Sequence, residues 1–374
     1  MSHTHLFDNF LHDALNKRRD AGLLRKLIHT EGLVDFSSND YLGFARNDSI
    51  QKGISLQKIH NGSTGSRLIT GNSALAEQTE QVVAQFHQTE AALIFNTGYM
   101  ANVGLFSSLG DADSIFIYDE YIHASVHDGM RLSRAQRIKF KHNDLDNLVF
   151  LLNNTEGAKK YVAVESLYSM DGDCAPLVEI ADICQTHNAA LIVDEAHATG
   201  VYGQNGEGLV QQLGLESQVW ARVHTFGKAL GVHGAAVVGS RLLRDYLINH
   251  ARSFIYTTAL PPVAYHHIQR AYQLLLYADR DKLQGLIDYF IQKTRFLTLS
   301  EGYFLSNPHS PIQGIVIPDN QKVVALAQLL YQNGLFAKAI LSPTVPKGAE
   351  RIRICLHSFN TFDEMDRLLN LVKK

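Results

Sequence analysis

The sequence predicts an α/β protein, with a large domain on a mainly parallel central sheet and a smaller C-terminal α+β domain. Three observations carry that expectation. Short apolar runs alternate with stretches of helical periodicity through the N-terminal and middle parts of the chain, the pattern of a sheet covered by helices on both faces. Polar or Gly-containing turns follow several of those runs directly, at what would be the carboxyl ends of strands, where ligands collect in such folds. From Pro261 the order changes to a long helical segment followed by strands and helices, about a hundred residues and an ordinary size for a second domain.

The expected divisions are an N-terminal helix and strand segment over 1–45, a large ligand-binding domain over 46–260 and a small domain over 261–374. The totals bound what these can do. An apolar fraction of 45% with 19% charged residues is that of an ordinary soluble chain. No apolar run reaches the roughly 18 residues of a membrane span. A net charge of −3 without blocks of like charge gives no general attraction to nucleic acid. Cys174, Cys184 and Cys355 are widely spaced and form no CxxC pair, so neither a zinc site nor a redox motif is expected and a reducing compartment is. Met1 to Asp20 lacks the continuous apolar core of a signal peptide. A cytoplasmic protein is the expectation.

In chain order, Phe7, Phe10, Leu11 and Leu15, continued by Leu23, Leu24 and Leu27, predict an amphipathic helix over 5–28, with Arg18, Arg19 and Arg25 on or near its polar face. Val34 to Gly43 reads as a short strand entering a polar turn. Asn61 to Gly71 is rich in glycine and hydroxyls but lacks the Gly-Lys-Ser/Thr ending of a nucleotide P-loop, which leaves a loop able to approach a ligand closely. A helix is expected over 74–87. The apolar run Ala91 to Phe95 then enters Asn96-Thr97-Gly98-Tyr99 and a helix reaching Leu109. A strand, a tight turn and a helix N-terminus present free N–H groups to an anion, so Thr97 to Tyr99 is a candidate phosphate cradle.

Ser114 to Asp119 is the next strand, followed by His123 and His127. Their spacing of four suits a metal, but no third ligand or His-Glu-x-x-His pattern accompanies them; His123 is better placed to stack on a flat cofactor. Strands at Tyr161 to Glu165, Ala190 to Asp194 and Ala235 to Val238, with a helix over 177–187, continue the alternation. Beyond Pro261 the pattern predicts a helix over 263–300, a strand over 312–317, a helix over 322–333, a strand over 336–341, the turn Ser342 to Pro346, a strand over 351–357 and a final helix.

The stretch Val223 to Gly231 is the one the others organise around. Lys228 stands in a Gly-flanked turn, some thirty residues after the acid Asp194 that closes a buried strand. A lysine amine to bind an aldehyde and a carboxylate to keep a pyridine nitrogen protonated are what pyridoxal 5'-phosphate (PLP) requires. The cradle, the ring at His123, the polar strand end from Ser166 to Asp173, His197 and Thr225 fit the same ligand.

Ser38 to Gly43, Gly62 to Gly71, Ser169-Met170-Asp171-Gly172-Asp173, Val193 to Gly200, Thr225-Phe226-Gly227-Lys228 and Pro343 to Pro346 resemble the α-oxoamine synthase family of fold-type I PLP enzymes, in the family's order and over nearly the whole chain. The resemblance implies a PLP-dependent acyltransferase that joins an amino acid to an acyl thioester with loss of CO2. It also implies a homodimer with its active site at the subunit interface. Lys228 would hold the cofactor and act as the base, Asp194 would pair with the pyridinium and His123 would stack on the ring. His197 and Ser169 would meet its phenolic oxygen. Gly98, Tyr99 and Thr225 would hold the phosphate, with Thr257 or Thr258 reaching that of the neighbouring subunit.

For the substrates, the resemblance implies L-alanine and a pimeloyl thioester of CoA or acyl carrier protein, on the way to biotin. The alternatives are glycine or serine with another acyl-CoA, and a non-catalytic scaffold subunit. Arg353 would clamp the amino-acid carboxylate; Arg351, two residues away on the same strand face, is not separated from it by position. Arg25 matches an arginine of the acyl site, and Thr344 belongs to the same region. Leu341-Ser342-Pro343-Thr344 stands where several members of the family carry Arg-Pro-Pro-Thr, so one charge that the resemblance would place at the site is missing.

Overall fold

The computed structural model describes residues 3–52, 60–156, 159–306 and 308–373. Its first element is an exposed helix, α1 (His3–Asp20), followed by the short strand β1 (Val34–Asp35). The helix is shorter than the expected 5–28, since the chain leaves helical geometry at Asp20 and Gly22 takes φ 68°. Its apolar residues Phe7, Phe10, Leu11 and Leu15 face solvent in the single chain.

The central layer then alternates as α2 (Ala74–Phe86), β2 (Ala91–Phe95), α3 (Gly98–Leu109), β3 (Ser114–Asp119), α4 (Ala124–Leu132), β4 (Gln136–Phe140), α5 (Leu145–Asn153) and β5 (Lys159–Glu165). It continues with α6 (Leu177–Thr186), β6 (Ala190–Asp194), α7 (Leu209–Gln212), β7 (Ala221–Thr225), β8 (Ala235–Gly239), α8 (Arg241–His250) and α9 (Arg252–Ile255). These form a seven-stranded sheet in the order β2-β8-β7-β6-β5-β3-β4. The five strands from β7 to β4 are mutually parallel, and β8 runs antiparallel between β2 and β7. Consequently the carboxyl ends of β2, β3, β5, β6 and β7 share one edge.

Side chains alternate between two buried layers, as the pleat requires. Ala92, Ile115, Ile117, Val162, Val164, Leu191 and Val193 pack on one face, while Leu93, Phe116, Ala163, Ile192 and Val223 pack on the other. Helices on both faces let these strands be apolar throughout. The sequence pattern missed β4, an edge strand whose Gln136, Arg137 and Lys139 are exposed, because charge on an edge strand guards it against pairing and hides its periodicity.

After α10 (Pro262–Leu275) and α11 (Arg280–Thr294) come β9 (Phe304–Ser306), β10 (Ile312–Val316), α12 (Asn320–Gln332), β11 (Leu335–Phe336), β12 (Lys338–Ile340), β13 (Arg351–Cys355) and α13 (Phe362–Val372). The single helix expected over 263–300 is thus two helices, separated where Asp279 caps the second by accepting from the Lys282 N–H. The strand expected over 336–341 is likewise two short ones, and the last strand stops at Cys355 rather than residue 357. A four-stranded antiparallel sheet, β12-β13-β10-β9, stands apart from the large one. β1 pairs in parallel with β11, and Phe36 and Tyr41 carbonyls accept from the Cys355 and Ser358 N–H groups. These bonds carry residues 34–41 along the small sheet towards the carboxyl edge of the large one.

Gly231 shows how tightly that segment docks. It has φ 63°, and a Cβ there would lie 2.1 Å from the Ala45 nitrogen. We predict that Gly231→Ala destabilises the fold by roughly 2–4 kcal/mol, combining left-handed strain with a backbone clash. Thermal or urea unfolding of the purified variant checks it; an unchanged midpoint contradicts the packing described.

Candidate active site

At the shared strand edge, β6 ends in Asp194, β5 in Glu165 and β7 in Thr225, three residues before Lys228. Asp194 is buried and oriented from two sides: Asn102 Nδ2 donates to Oδ2 at 2.8 Å and the Ala196 N–H to Oδ1 at 3.0 Å. Asn102 also donates to Ser125 Oγ at 3.0 Å, and Ser125 Oγ lies 2.7 Å from His123 Nδ1. The Ser125 N–H donates to that same Nδ1 at 3.2 Å, so Nδ1 is an acceptor and the ring proton sits on Nε2. Burial against protein, then the Lys228 charge, lower the His123 pKa below its ordinary value. A neutral imidazole with solvent on it is thereby held in register with Asp194.

Lys228 is partly accessible yet densely surrounded by protein. Desolvation lowers its amine to about 8, opposed by the carboxylates of Asp194 and Glu165 and assisted by the Arg353 cation. Glu165, almost fully buried, is pushed upward by desolvation and then by the nearby Asp194 charge. His197 is buried with Nδ1 2.8 Å from Tyr41 Oη; burial first, then Lys228 and Arg353, depress its pKa far enough to keep the ring neutral.

The candidate cradle is a turn between β2 and the N-terminus of α3. Thr97 caps α3 by accepting from the Met100 N–H, which leaves the Gly98 and Tyr99 amides pointing out of the helix N-terminus. A Cβ on Gly98 would stand 2.3 Å from Thr225 Oγ1, so only glycine lets that hydroxyl join the amides. Thr257 and Thr258 lie beyond this turn, the Thr258 carbonyl accepting from Asn96 Nδ2 at 2.9 Å. Lys228, a pinned anion, a free ring face and an anion cradle therefore occur together, and this set fits PLP. Among the described residues, no cluster of three or more His, Cys, Asp or Glu is arranged to hold a metal ion.

The two arginines of β13 differ sharply. Arg351 Nη1 meets Asp171 Oδ1 at 2.6 Å and the Met170 carbonyl at 3.2 Å. Arg353 is as buried, but its partners are the Ser169 carbonyl at 2.6 Å, Cys355 Sγ at 2.8 Å and Asn39 Oδ1 at 3.1 Å. None is a carboxylate. Arg25 and Thr344 are exposed, and no hydrogen bond or ion pair among the described residues joins either to the Lys228 pocket. Glu165, Asn102, Ser125, Tyr41 and Asn39 belong to the site and carry no local signal in the sequence, since the groups they join, Lys228, Asp194, His197 and Arg353 among them, lie in other parts of the chain.

Residues 31–372 match the family described as aminotransferase class I and II. The chain belongs to that family. An 8-amino-7-oxononanoate synthase of Emericella nidulans is 42% identical over 97% of this chain and 94% of its own length. The 8-amino-7-oxononanoate synthase 2 of Bacillus subtilis is 38% identical over 97% and 96%. Among solved structures, a serine palmitoyltransferase from S. paucimobilis with a bound PLP–myriocin aldimine superposes with a TM-score of 0.89 at 27% identity, covering 100% of this chain and 98% of that one. An 8-amino-7-oxononanoate synthase from Francisella tularensis gives 0.76 at 29% identity, over 91% and 97%. These relatives bear out the resemblance to α-oxoamine synthases and the fold-type I architecture expected from the sequence.

The geometry predicts how Lys228 titrates. In cofactor-free protein, amine labelling at Lys228, followed by mass spectrometry of its peptide, should show a midpoint near pH 8. Asp194→Asn removes an anion that holds the proton on, so the midpoint should move lower. A midpoint near the ordinary lysine value, or an upward move in the variant, would contradict the assignment.

Proposed function

We propose that this chain is a PLP-dependent acyltransferase that condenses L-alanine with a pimeloyl thioester, of CoA or acyl carrier protein, to give 8-amino-7-oxononanoate, CO2 and the free thiol. The observation that carries the chemistry is the shared strand edge that brings the Lys228 amine near the Asp194 carboxylate, itself pinned by Asn102 Nδ2 at 2.8 Å and by the Ala196 N–H. The substrate assignment is supported by full-length relatives named 8-amino-7-oxononanoate synthase. Bound PLP supplies an electron sink for negative charge on the substrate α-carbon.

The protein's own groups then have defined tasks. Lys228 Nζ holds the cofactor through its aldehyde and, once free, takes the α-proton of the amino acid and later returns a proton to the product carbon. An amine that burial lowers towards neutrality is suited to both. Asp194 would pair with the pyridine nitrogen and keep it protonated. His123 would stack on the ring, and His197 would hydrogen-bond the phenolic oxygen, with Ser169 beside it. Gly98, Tyr99 and Thr225 would receive the phosphate. Arg353, a buried cation without a carboxylate of its own, receives that of the amino acid in a charge-assisted pair; Arg351 is occupied by Asp171. Arg25 and Thr344 are assigned to the acyl thioester.

The working form is a homodimer in a soluble, cytoplasmic setting. Ser63 Oγ donates to the Leu260 carbonyl and the Ala259 N–H to that of Gly65, tying the Gly-rich loop to the Thr257–Thr258 turn. Exposed Ile69 and Tyr256 flank this surface, from which a threonine hydroxyl would reach the partner's phosphate site. A mass of twice 41.7 kDa by sedimentation is expected; a monomer that is active at all dilutions would refute it.

A second reading, a sister synthase using serine or glycine, is favoured by the 0.89 superposition on serine palmitoyltransferase. Product analysis with alanine, glycine and serine against a panel of acyl thioesters separates the two. Turnover with alanine and pimeloyl thioester supports the first, and turnover only with serine and a long acyl chain replaces it. Lys228→Ala should abolish both turnover and borohydride-reducible visible absorbance. Arg353→Ala should raise the KM for the amino acid by roughly thirty-fold or more, equivalent to about 2 kcal/mol, with a smaller effect from Arg351→Ala. Equal effects at the two arginines would reject the clamp.

A further inference from the structure

His142 lies outside the groups named so far. It follows β4, and both of its ring nitrogens face carboxylates: Nδ1 is 2.9 and 3.1 Å from the two oxygens of Asp119, and Nε2 is 2.8 Å from Asp173 Oδ2. With an acceptor at each end, the ring must carry both protons. Burial alone would lower its pKa, but Asp119 and Asp173 outweigh it and raise the group to about 10. The ring is fixed edge and face, with Tyr121 stacked on it at 4.4 Å and Tyr168 edge-on at 4.5 Å. Asn143, at φ 53°, adds a bond from Nδ2 to the same Asp173 oxygen at 2.8 Å. Its N–H donates to Asp119 Oδ2 at 2.9 Å.

What this cation ties down is the loop 166–174, which leads out of β5. The Tyr168 N–H donates to the Asp173 carbonyl at 2.9 Å and the Gly172 N–H to the Tyr168 carbonyl at 3.0 Å, closing the loop on itself. Its tip faces the small sheet, where the Ser169 carbonyl accepts from Arg353 Nε, the Asp171 side chain holds Arg351, and the Asp171 carbonyl accepts from Ser306 Oγ. A Cβ on Gly172 would stand 2.2 Å from the Ile312 carbonyl oxygen. One end of the loop is therefore bonded to the large sheet through His142, and the other to the small sheet through both arginines.

We propose that the Asp119–His142–Asp173 bridge is a positioning device for amino-acid binding: by locking the 166–174 loop it sets the Ser169 carbonyl, and hence the guanidinium of Arg353, where a substrate carboxylate is received. The proposal rests on Arg353 taking that carboxylate. His142 touches neither substrate nor cofactor in this scheme, so its loss acts on binding of the amino acid and leaves the Lys228–Asp194 pair in place.

The test uses the full chain loaded with PLP, following the cofactor spectrum as L-alanine is titrated. His142→Gln should retain a borohydride-reducible cofactor band but raise the alanine dissociation constant at least about five-fold, with a smaller change in kcat. In an Arg353→Lys background the same substitution should add little, since coupled residues are non-additive. Hydrogen exchange on cofactor-free protein should show faster exchange over 166–174 in His142→Gln. Asp173→Asn, nearly isosteric, should reproduce these effects and serves if the first variant does not fold. Unchanged alanine affinity, with or without faster loop exchange, or a strictly additive cycle, overturns the proposal. A wild type that responds to no amino acid removes the parent reading and the inference together, a result distinct from a variant that responds as the wild type does.

Discussion

The structure depends on a cation and anions held at the same strand edge with little water to separate them. Lys228 is attracted to Asp194 and Glu165, and interactions of this kind strengthen several-fold as the effective dielectric falls from that of water. Their burial opposes ionisation at the same time. The balance leaves the amine only slightly above neutrality, which an ordinary surface lysine never approaches. Parallel strands make this possible, since they deliver Glu165, Asp194 and Thr225 to one edge with side chains fixed by the pleat.

Such a site costs stability, and the signs differ by group. The folded pKa of Lys228 is below its unfolded value, so the folded protein binds fewer protons between about 8 and the ordinary lysine value of 10.5. Its penalty is present in full below that window and relieved as pH rises through it. Glu165 is shifted upward, so its penalty is present above its folded pKa and relieved as pH falls. Near neutrality neither is relieved in full. The rest of the fold offsets them with two apolar layers and with polar chains, such as Asp194–Asn102–Ser125–His123, that pair most of the groups they bury, the Asn102 Oδ1 excepted.

Legibility in the sequence follows from the range of the interaction. The apolar strands, the cradle after β2 and the Lys228 turn were readable because each is a local pattern of a few residues. The strand β4 was not, because its exposed charges erase the period. The extent of α1 was overestimated because apolar spacing continues past Asp20, where only tertiary contact could have kept the helix going. Arg351 and Arg353 were indistinguishable along their strand. Asp171, about 180 residues earlier, separates them by occupying one, and no local pattern encodes that pairing. Asn102 and Tyr41 are illegible for the same reason: each looks like an ordinary helix or loop residue until its distant partner, Asp194 or His197, is known.

The small sheet completes the site rather than merely adjoining it. Residues 34–41 run along it through the β1–β11 pair and bring Asn39 and Tyr41 against Arg353 and His197. The loop after β5 approaches from the large sheet and bonds the same arginine from the other side. Arg353 is thus held by the N-terminal segment, the large sheet and its own strand at once. A guanidinium so fixed loses little further freedom when a carboxylate arrives, and pre-organisation of that kind turns buried charge into specificity for the ligand's charge and reach. It also explains why the cation tolerates burial without an ion pair of its own: neutral oxygens and a sulfur orient it, and in the proposed function its remaining N–H groups receive the anion that arrives with the substrate.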